Sequence, residues 1–160
     1  MTIKIGDRLP AGKFKTMGES GPQELTSSQV FDGKRVLLFS VPGAFTPTCS
    51  AKHLPGYLAQ ADELKKHGID TIACTAVNDV FVMDAWGKSQ KADGKVLMLA
   101  DGNGDYVRAL GLELDLTGAA LGVRGRRFAL VAKDGVVEQL NVENGGELKV
   151  SGAETMLCQL

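Results

Sequence analysis

The chain has 160 residues, of which 44% are hydrophobic and 23% are charged, as is ordinary for a globular domain of this length. With 18 basic and 19 acidic residues the net charge is −1, so the composition indicates neither a nucleic-acid-binding protein nor one that binds anionic membranes. No apolar run is long enough to span a membrane, and the N-terminus MTIKIGDRLP lacks the core of a signal peptide.

The N-terminal part of the chain predicts a hairpin extension. Two short segments, 3–5 and 13–15, are expected to form strands around the Gly-Asp and Leu-Pro-Ala-Gly turns. A brief helical turn is expected over 27–31, and Gly33 ends it.

A buried strand and a long helix are predicted next. The apolar run 36–41 is typical of a strand that is covered on both faces. The segment 47–67 predicts a helix that stops at Gly68. Because proline lacks a backbone N–H, we expect this helix to bend or restart at Pro55-Gly56.

Strands and helices alternate in the remainder of the chain. The predicted strands lie at 69–77, 96–100, 127–132 and 136–141. The predicted helices lie at 80–89 behind an Asn78-Asp79 cap, at 106–110, and after a Ser151-x-x-Glu154 capping box. The tripeptide Lys133-Asp134-Gly135 indicates a hairpin turn between the last two strands.

This order of elements predicts the fold class. Helices that follow central strands, with an antiparallel hairpin near the end, are typical of an α/β protein with a mixed sheet between helical layers. We therefore expect a thioredoxin fold, with a mixed central β-sheet flanked by helices and an N-terminal hairpin extension, in a single domain over residues 1–160.

Cys49 lies where local structure can activate a thiol. Thr46 is expected to be the helix N-cap and Pro47 suits the first helical position, so Cys49 falls in the first turn. Unpaired backbone N–H groups and the positive end of the helix dipole favour the thiolate there. Most free cysteines are inert core residues, but the Pro, Gly, Thr and Ser neighbours indicate an exposed turn. We therefore interpret Cys49 as a nucleophile.

The residues before Cys49 indicate which electrophile it attacks. Thioredoxin-fold oxidoreductases carry Cys-x-x-Cys at this turn, whereas this chain has Thr-x-x-Cys, so exchange through two neighbouring thiols is not supported. The Thr46 hydroxyl can instead donate to a peroxide oxygen and orient the attack by sulfur. Pro42 can shield that sulfur from solvent.

The segment VPGAFTPTCSAKHLPGY resembles the active site of the peroxiredoxins, in particular the atypical peroxiredoxin-5-like (type II) subfamily. The family pattern Pro-x-x-x-Thr-x-x-Cys corresponds to Pro42, Thr46 and Cys49, and the similarity extends to KIGDRLPAG, VNDVFVMDAWG and RRFALVAKDGVVEQLNVE. The resemblance implies a thioredoxin fold and a thiol-dependent peroxidase for hydrogen peroxide, alkyl hydroperoxides and often peroxynitrite, without metal or flavin. It implies a role in antioxidant defence and cell redox homeostasis.

The resemblance also implies an arginine that supports the thiolate. The matching position, just before the Phe-Ala-Leu-Val strand, is Arg127, with Arg124 as the next candidate and Arg126 expected in a solvated turn. A guanidinium stays charged and can direct two hydrogen bonds at sulfur and oxygen, which suits this role.

Further residues are expected around the substrate. The backbone N–H groups of Thr48 and Cys49 are expected to hold the peroxide, and Leu116 and Leu121 to shape its pocket. Phe45 is expected at the substrate site and, because related proteins form a dimer contact on this side of the loop, in a homodimer interface.

The other cysteines bear on how the enzyme is recycled. Some members of the subfamily place a resolving cysteine just before the last helix, where this chain has Lys149, Val150 and Ser151. The resemblance therefore implies an external reductant, either glutathione with glutaredoxin or thioredoxin. Cys74 is expected in the core and Cys158 near the frayed C-terminus, and both remain candidates for a secondary redox role.

The cysteine pattern also bears on location, and alternatives remain. Three widely separated cysteines form neither a disulfide framework nor a zinc site, which predicts a metal-free cytoplasmic protein. His53 and His67 are expected to face solvent, without a catalytic role. A redox relay that passes oxidation from Cys49 to a partner protein, and a non-catalytic thioredoxin-like binding module, remain open as alternative functions.

Overall fold

A seven-stranded mixed sheet forms the centre of the molecule. The computed structural model describes residues 1–160, and its strands are β1 Lys13–Gly18, β2 Gly21–Thr26, β3 Arg35–Ser40, β4 Thr71–Ala76, β5 Leu97–Ala100, β6 Glu113–Leu116, β7 Gly122–Gly125, β8 Phe128–Lys133 and β9 Val136–Val142. The sheet has the order β2-β1-β5-β4-β3-β8-β9, and β6 pairs with β7 in a separate hairpin. β3, β4 and β5 run parallel, and β8 is antiparallel to β3.

Helices cover both faces of this sheet. They are α1 Ser27–Phe31, α2 Leu54–Lys66, α3 Val80–Ser89, α4 Asp105–Leu110 and α5 Ala153–Cys158, with a short 3-10 helix at Thr117–Ala119. A π-helical turn, Cys49–His53, leads directly into α2 and is called the π turn below. No helix combines the length and apolar character that crossing a membrane requires.

Alternating side chains of the central strands fill two apolar layers, as the two-residue period of a strand requires. On one face, Leu37 and Phe39 of β3 pack with residues of α2, α3 and α5. On the other face, Val36 and Leu38 pack with residues of α1 and α4. Cys49 belongs to the first layer, so the π turn is held against the sheet by the main core.

The structure confirms the predicted α/β class, the mixed sheet and the thioredoxin-like arrangement. The helix predicted over 80–89 has those bounds, because Asp79 Oδ1 accepts from the Val82 N–H at 2.8 Å and caps it. The predicted hairpin between β8 and β9 is also present. Its turn residues Asp134 and Gly135 both have positive φ, 49° and 78°, which is typical of a two-residue hairpin turn.

Two predicted elements are wrong. Residues 3–5 form no strand, since the Ile3 N–H instead pairs with the Leu110 carbonyl at 2.8 Å, and the N-terminal hairpin consists of β1 and β2. The Ser151-x-x-Glu154 capping box does not form either. Gly152 is the N-cap of α5, and the Ser151 hydroxyl donates to Glu143 Oε2 at 2.6 Å.

The long helix predicted over 47–67 is divided near the expected position. The Leu54 N–H donates to the Cys49 carbonyl five residues earlier, which is π-helical spacing, and regular α-helix follows. Pro55 has no N–H to donate to the Ala51 carbonyl, so the helix can accommodate an extra residue in the turn before it. Such π turns are frequent at functional sites.

Candidate active site

Cys49 is the first residue of the π turn and has no accessible surface. The loop from the end of β3 leads into this turn, and its first helical hydrogen bond runs from the Ser50 N–H to the Thr46 carbonyl at 2.9 Å. The sequence correctly predicts a cysteine at a strand-to-helix transition. The sequence also predicts that this turn is exposed. That prediction is wrong for Cys49 itself, which is buried.

Arg127 lies directly against the sulfur. Its Nη2 donates to Cys49 Sγ at 3.3 Å and its Nη1 donates to His53 Nδ1 at 2.9 Å. Arg127 is 3% exposed, so the charge of its guanidinium is little screened by water. Because Arg127 immediately precedes β8, and β8 pairs with β3, the sheet itself brings this cation to the end of the strand that precedes the cysteine loop.

The two neighbouring arginines have different partners. Arg124 donates from Nε to the Leu121 carbonyl at 2.9 Å and from Nη1 to the Pro42 carbonyl at 3.2 Å, so it supports the loop rather than the sulfur. Arg126, which was expected in a solvated turn, is half-buried and donates from Nη2 to the Glu143 carbonyl at 3.3 Å, so it is partly solvated. The structure therefore places Arg127, and not Arg124, beside Cys49.

Thr46 lies in the loop without capping the helix through its side chain. Its hydroxyl donates to the Gly43 carbonyl at 2.6 Å, so the expected side-chain cap was wrong. The loop is also held by the Ala44 N–H, which donates to Asn78 Oδ1 at 2.9 Å. Phe45 has a φ of 64°, a left-handed conformation that is costly for a bulky residue, and the fixed loop ends maintain it.

His53 was expected to face solvent, but it is completely buried. Its Nδ1 accepts from Arg127, and its Nε2 lies 3.1 Å from the Ser151 carbonyl oxygen. Burial, followed by the positive charge of Arg127, lowers the pKa of His53 to about 4, so the ring is neutral at physiological pH. His53 follows Cys49 by four residues, so the two side chains lie on the same side of the helix. This spacing was the one feature of the sequence that could have indicated a place for His53 near the site. His67 is exposed, as expected.

Glu143 is a second buried residue that the sequence did not indicate. It follows β9 and is 2% exposed. Its carboxylate accepts hydrogen bonds from the backbone N–H groups of Lys149, Val150 and Ser151, and from the Ser151 hydroxyl. Burial opposes ionisation of this carboxyl, but these hydrogen bonds outweigh it and hold the pKa of Glu143 below its usual value.

Comparisons with known proteins agree with this arrangement. Residues 4–157 match the Redoxin family. Peroxiredoxin-2D of Arabidopsis thaliana is 50% identical over 159 residues, which cover 99% of this chain and 98% of that relative. The chain belongs to the peroxiredoxins.

Solved structures of this family have the same fold. Reduced Prx3 of Vibrio vulnificus in complex with hydrogen peroxide is 47% identical, with a TM-score of 0.95 over 99% of both chains. Peroxiredoxin 5 of Alvinella pompejana is 38% identical, with a TM-score of 0.86 over 98% of this chain and 96% of that one. This peroxiredoxin is therefore a thiol-dependent peroxidase with a redox-active cysteine.

The three cysteines of the peroxiredoxin are all free, and they differ in environment. Cys74 lies in β4 with no accessible surface, as the core prediction required. Burial, and then the nearby Cys49, raise the pKa of the Cys74 thiol, so it stays protonated. Cys158 ends α5 and is exposed.

The remaining predicted residues differ in their burial. Thr48 is half-buried and directly precedes the π turn. Phe45 and Leu121 are large apolar side chains with exposures of 55% and 39%. Leu116 is half-buried at the end of β6, beside the short helix that leads to Leu121.

Proposed function

We propose that this peroxiredoxin reduces hydrogen peroxide and alkyl hydroperoxides through a thiolate at Cys49, and that an external thiol restores it. The observation that carries the proposal is the 3.3 Å contact between Arg127 Nη2 and Cys49 Sγ. A buried guanidinium at this distance stabilises the anionic form of the sulfur, and charge-assisted hydrogen bonds of this kind are stronger than neutral ones.

The proposed reaction is an in-line displacement. The Cys49 sulfur attacks the terminal peroxide oxygen, so an S–O bond forms while the O–O bond breaks and its electron pair leaves with the second oxygen. Arg127 stabilises the negative charge on that oxygen, which takes up a proton and departs as water or alcohol. The product is a sulfenic acid at Cys49. The hydrogen peroxide bound in the Vibrio vulnificus relative supports this substrate class.

Thr46 and Pro42 complete the proposed substrate site. The sequence predicts that the Thr46 hydroxyl donates to the peroxide, but its proton is directed at the Gly43 carbonyl. Its oxygen instead remains free to accept from the peroxide O–H. Pro42, whose carbonyl accepts from Arg124, is proposed to shield the sulfur from solvent. The backbone N–H groups of Thr48 and Cys49 are proposed as further donors to the peroxide, with Phe45 at the rim.

Recycling requires a thiol from outside the chain. Residues 149–151, where some relatives have a resolving cysteine, include no cysteine here. Of the other two cysteines, Cys74 is buried and protonated, and Cys158 lies at the C-terminal end of α5. A thiol such as glutathione displaces water from the sulfenic acid to give a mixed disulfide, which glutaredoxin or a second thiol then reduces. Thioredoxin is the other proposed reductant. Because Cys49 is buried, the π turn must open for either to reach it.

The proposal extends to assembly and location. Phe45 and Phe81 are 55% and 64% exposed, and both are tied to the same loop, since the Ala44 N–H contacts Asn78 two residues before α3 begins. Exposed apolar residues grouped in this way favour a homodimer. The three cysteines of the protein are free, which is typical of proteins in a reducing compartment. We therefore propose that the protein is located in the cytoplasm.

The test compares three matched substitutions, Cys49→Ser, Cys74→Ser and Cys158→Ser. Peroxide loss is followed with glutathione and glutaredoxin, and separately with thioredoxin and its reductase. Cys49→Ser is expected to abolish turnover, and the other two are expected to retain it. Turnover that survives Cys49→Ser would contradict the peroxidase mechanism, whereas loss of turnover in Cys74→Ser or Cys158→Ser would contradict the external-thiol step.

Mass analysis after one equivalent of peroxide plus glutathione identifies the intermediate. The expected product carries one glutathione at Cys49. An internal disulfide between Cys49 and another cysteine would instead contradict the proposed recycling route.

A further inference from the structure

A continuous series of buried polar contacts leads away from the sulfur of Cys49. Beyond the contact between Cys49 and Arg127, Arg127 Nη1 donates to His53 Nδ1 at 2.9 Å and His53 Nε2 lies 3.1 Å from the Ser151 carbonyl oxygen. The Ser151 N–H in turn donates to Glu143 Oε2 at 2.7 Å. Each of the five residues in this series is at most 3% exposed. Water therefore does not reach them, and a polar group that lost its partner would be left without a hydrogen bond, which costs free energy.

The direction of each hydrogen bond in this series of contacts, from Cys49 to Glu143, is fixed. A guanidinium has only donors, so His53 Nδ1 must accept from Arg127, and the ring proton must be on Nε2. The Ser151 carbonyl can only accept, and it therefore takes that Nε2 proton. Both contacts require the same neutral tautomer of His53, so neither has to be weakened to satisfy the other.

Arg127 depends on His53 for its orientation. Its Nε is buried without a hydrogen-bond partner, so the two acceptors of its side chain are Cys49 Sγ and His53 Nδ1. A planar guanidinium held at two adjacent nitrogens has a defined orientation, whereas one held only at the sulfur can rotate.

We propose that His53 and Glu143 are positioning residues for the peroxidase reaction, because together they fix the Arg127 guanidinium against Cys49. Glu143 gathers the N–H groups of residues 149–151 and so holds the backbone around Ser151. The Ser151 carbonyl also accepts from the Tyr57 hydroxyl at 2.6 Å, and the carbonyl held in this way fixes the tautomer and tilt of His53. This inference rests on the proposed role of Arg127. The position of the guanidinium beside the sulfur is then maintained by three groups in turn, the imidazole of His53, the Ser151 carbonyl and the carboxylate of Glu143.

Packing offers a simpler explanation for His53, and substitutions can separate the two. The ring lies beside Phe39, with centroids 4.9 Å apart, and beside Tyr57, at 5.6 Å. The asparagine oxygen in His53→Asn can take the place of Nδ1 and accept from Arg127. The glutamine amide in His53→Gln instead replaces Nε2, which preserves the contact with Ser151 but not the one with Arg127.

The experiment measures the second-order rate constant for the reaction of Cys49 with hydrogen peroxide, by quenching with an alkylating reagent and mass analysis. We expect His53→Gln to be at least about tenfold slower than the wild type and His53→Asn to stay within about threefold of it. Equal rates in both variants, whether slowed or not, would overturn the role of His53. If wild-type Cys49 itself did not react, the proposed function would fail instead.

Glu143 has a matched control in the same loop, since Glu147 is exposed and pairs only with Lys149. Glu143→Gln is expected to slow the reaction about tenfold, because its amide group faces N–H donors, whereas Glu147→Gln is expected to react like the wild type. Equal rates in these two variants would overturn the role of Glu143.

A measurement on the wild-type protein does not depend on any variant folding. Nitrogen-15 NMR of histidine-labelled protein reports which ring nitrogen carries the proton. At pH 7 the expected signal from His53 is that of a neutral ring with protonated Nε2 and unprotonated Nδ1. A proton on Nδ1, in either the neutral or the charged ring, would overturn the inference, because Arg127 would then face a second donor.

Discussion

Trp86 Nε1 donates a hydrogen bond of 2.9 Å to the hydroxyl of Ser50, the residue that follows Cys49. Gln90 Nε2 reaches the carbonyl of the same Ser50 at 3.1 Å. The end of α3 is therefore tied twice to the π turn that carries the nucleophile. Trp86 is completely buried, so its indole N–H has no ready replacement for the Ser50 hydroxyl.

We expect Ser50→Ala to destabilise the protein by about 1–2 kcal/mol, because it leaves the buried indole N–H of Trp86 without an acceptor. Urea unfolding followed by far-UV circular dichroism measures the change in free energy of unfolding. Ser20→Ala is the control, because Ser20 is exposed in the turn between β1 and β2. Equal stability of the two variants would contradict a structural role for the contact between α3 and the π turn.

Arg127→Lys is expected to slow the reaction of Cys49 with peroxide by about 100-fold. Lysine keeps the charge, but it cannot direct two donors at Cys49 and His53 in the fixed geometry of a guanidinium. Arg124→Lys should cost less than about tenfold, because Arg124 contacts only the carbonyls of Leu121 and Pro42. Stopped-flow kinetics with hydrogen peroxide tests both, and a larger loss in Arg124→Lys would reverse the assignment.

The central fold could be predicted from local sequence, because strands that are buried on both faces need continuous apolar runs. The strands predicted at 36–41 and 127–132, which contain such runs, locate β3 and β8 within one residue at each end for this reason. The hairpin of β6 and β7 was missed, since its strands Glu113–Leu116 and Gly122–Gly125 are short and partly exposed and show no such run.

The nucleophile could be predicted for the same local reason, but its supporting residues could not. Cys49 is recognisable from its own loop. The burial of His53 depends on Arg127 and Ser151, which are distant in the chain, and that of Glu143 depends on how the loop after β9 folds back onto its carboxylate. No periodicity records such a partnership, so a pattern-based interpretation assigns a helical histidine to the solvent-facing side.

The stability of the protein is expected to fall between pH 6.5 and about pH 4 because of His53. Its folded-state pKa of about 4 lies below the unfolded value of 6.5, so the unfolded chain binds more protons in this interval and lower pH favours it. The loss amounts to about 3 kcal/mol by pH 4. From about pH 4.5, the ordinary value for this carboxyl, Glu143 adds a further loss as pH falls, because its folded-state pKa is lower and the unfolded chain is protonated first.

Urea unfolding at a series of pH values measures this dependence. His53→Asn should remove most of the slope between pH 6.5 and pH 4, whereas His67→Asn, at the other and exposed histidine, should leave it unchanged. An unaltered slope in His53→Asn would show that other groups cause the acid sensitivity.

Phe81→Glu tests the proposed homodimer without disturbing the fold. Phe81 is 64% exposed in the first turn of α3, where an acidic side chain suits the helix dipole, so the monomer should remain stable. In a dimer interface the same change would bury a carboxylate, and we expect the dissociation constant to rise at least about tenfold. Analytical ultracentrifugation over a range of concentrations measures it.

The control is Ile5→Glu, because Ile5 is similarly exposed, at 57%, but lies in the N-terminal segment away from the cysteine loop. A wild-type protein that stays monomeric, or equal dissociation constants for the two variants, would exclude an interface at this face.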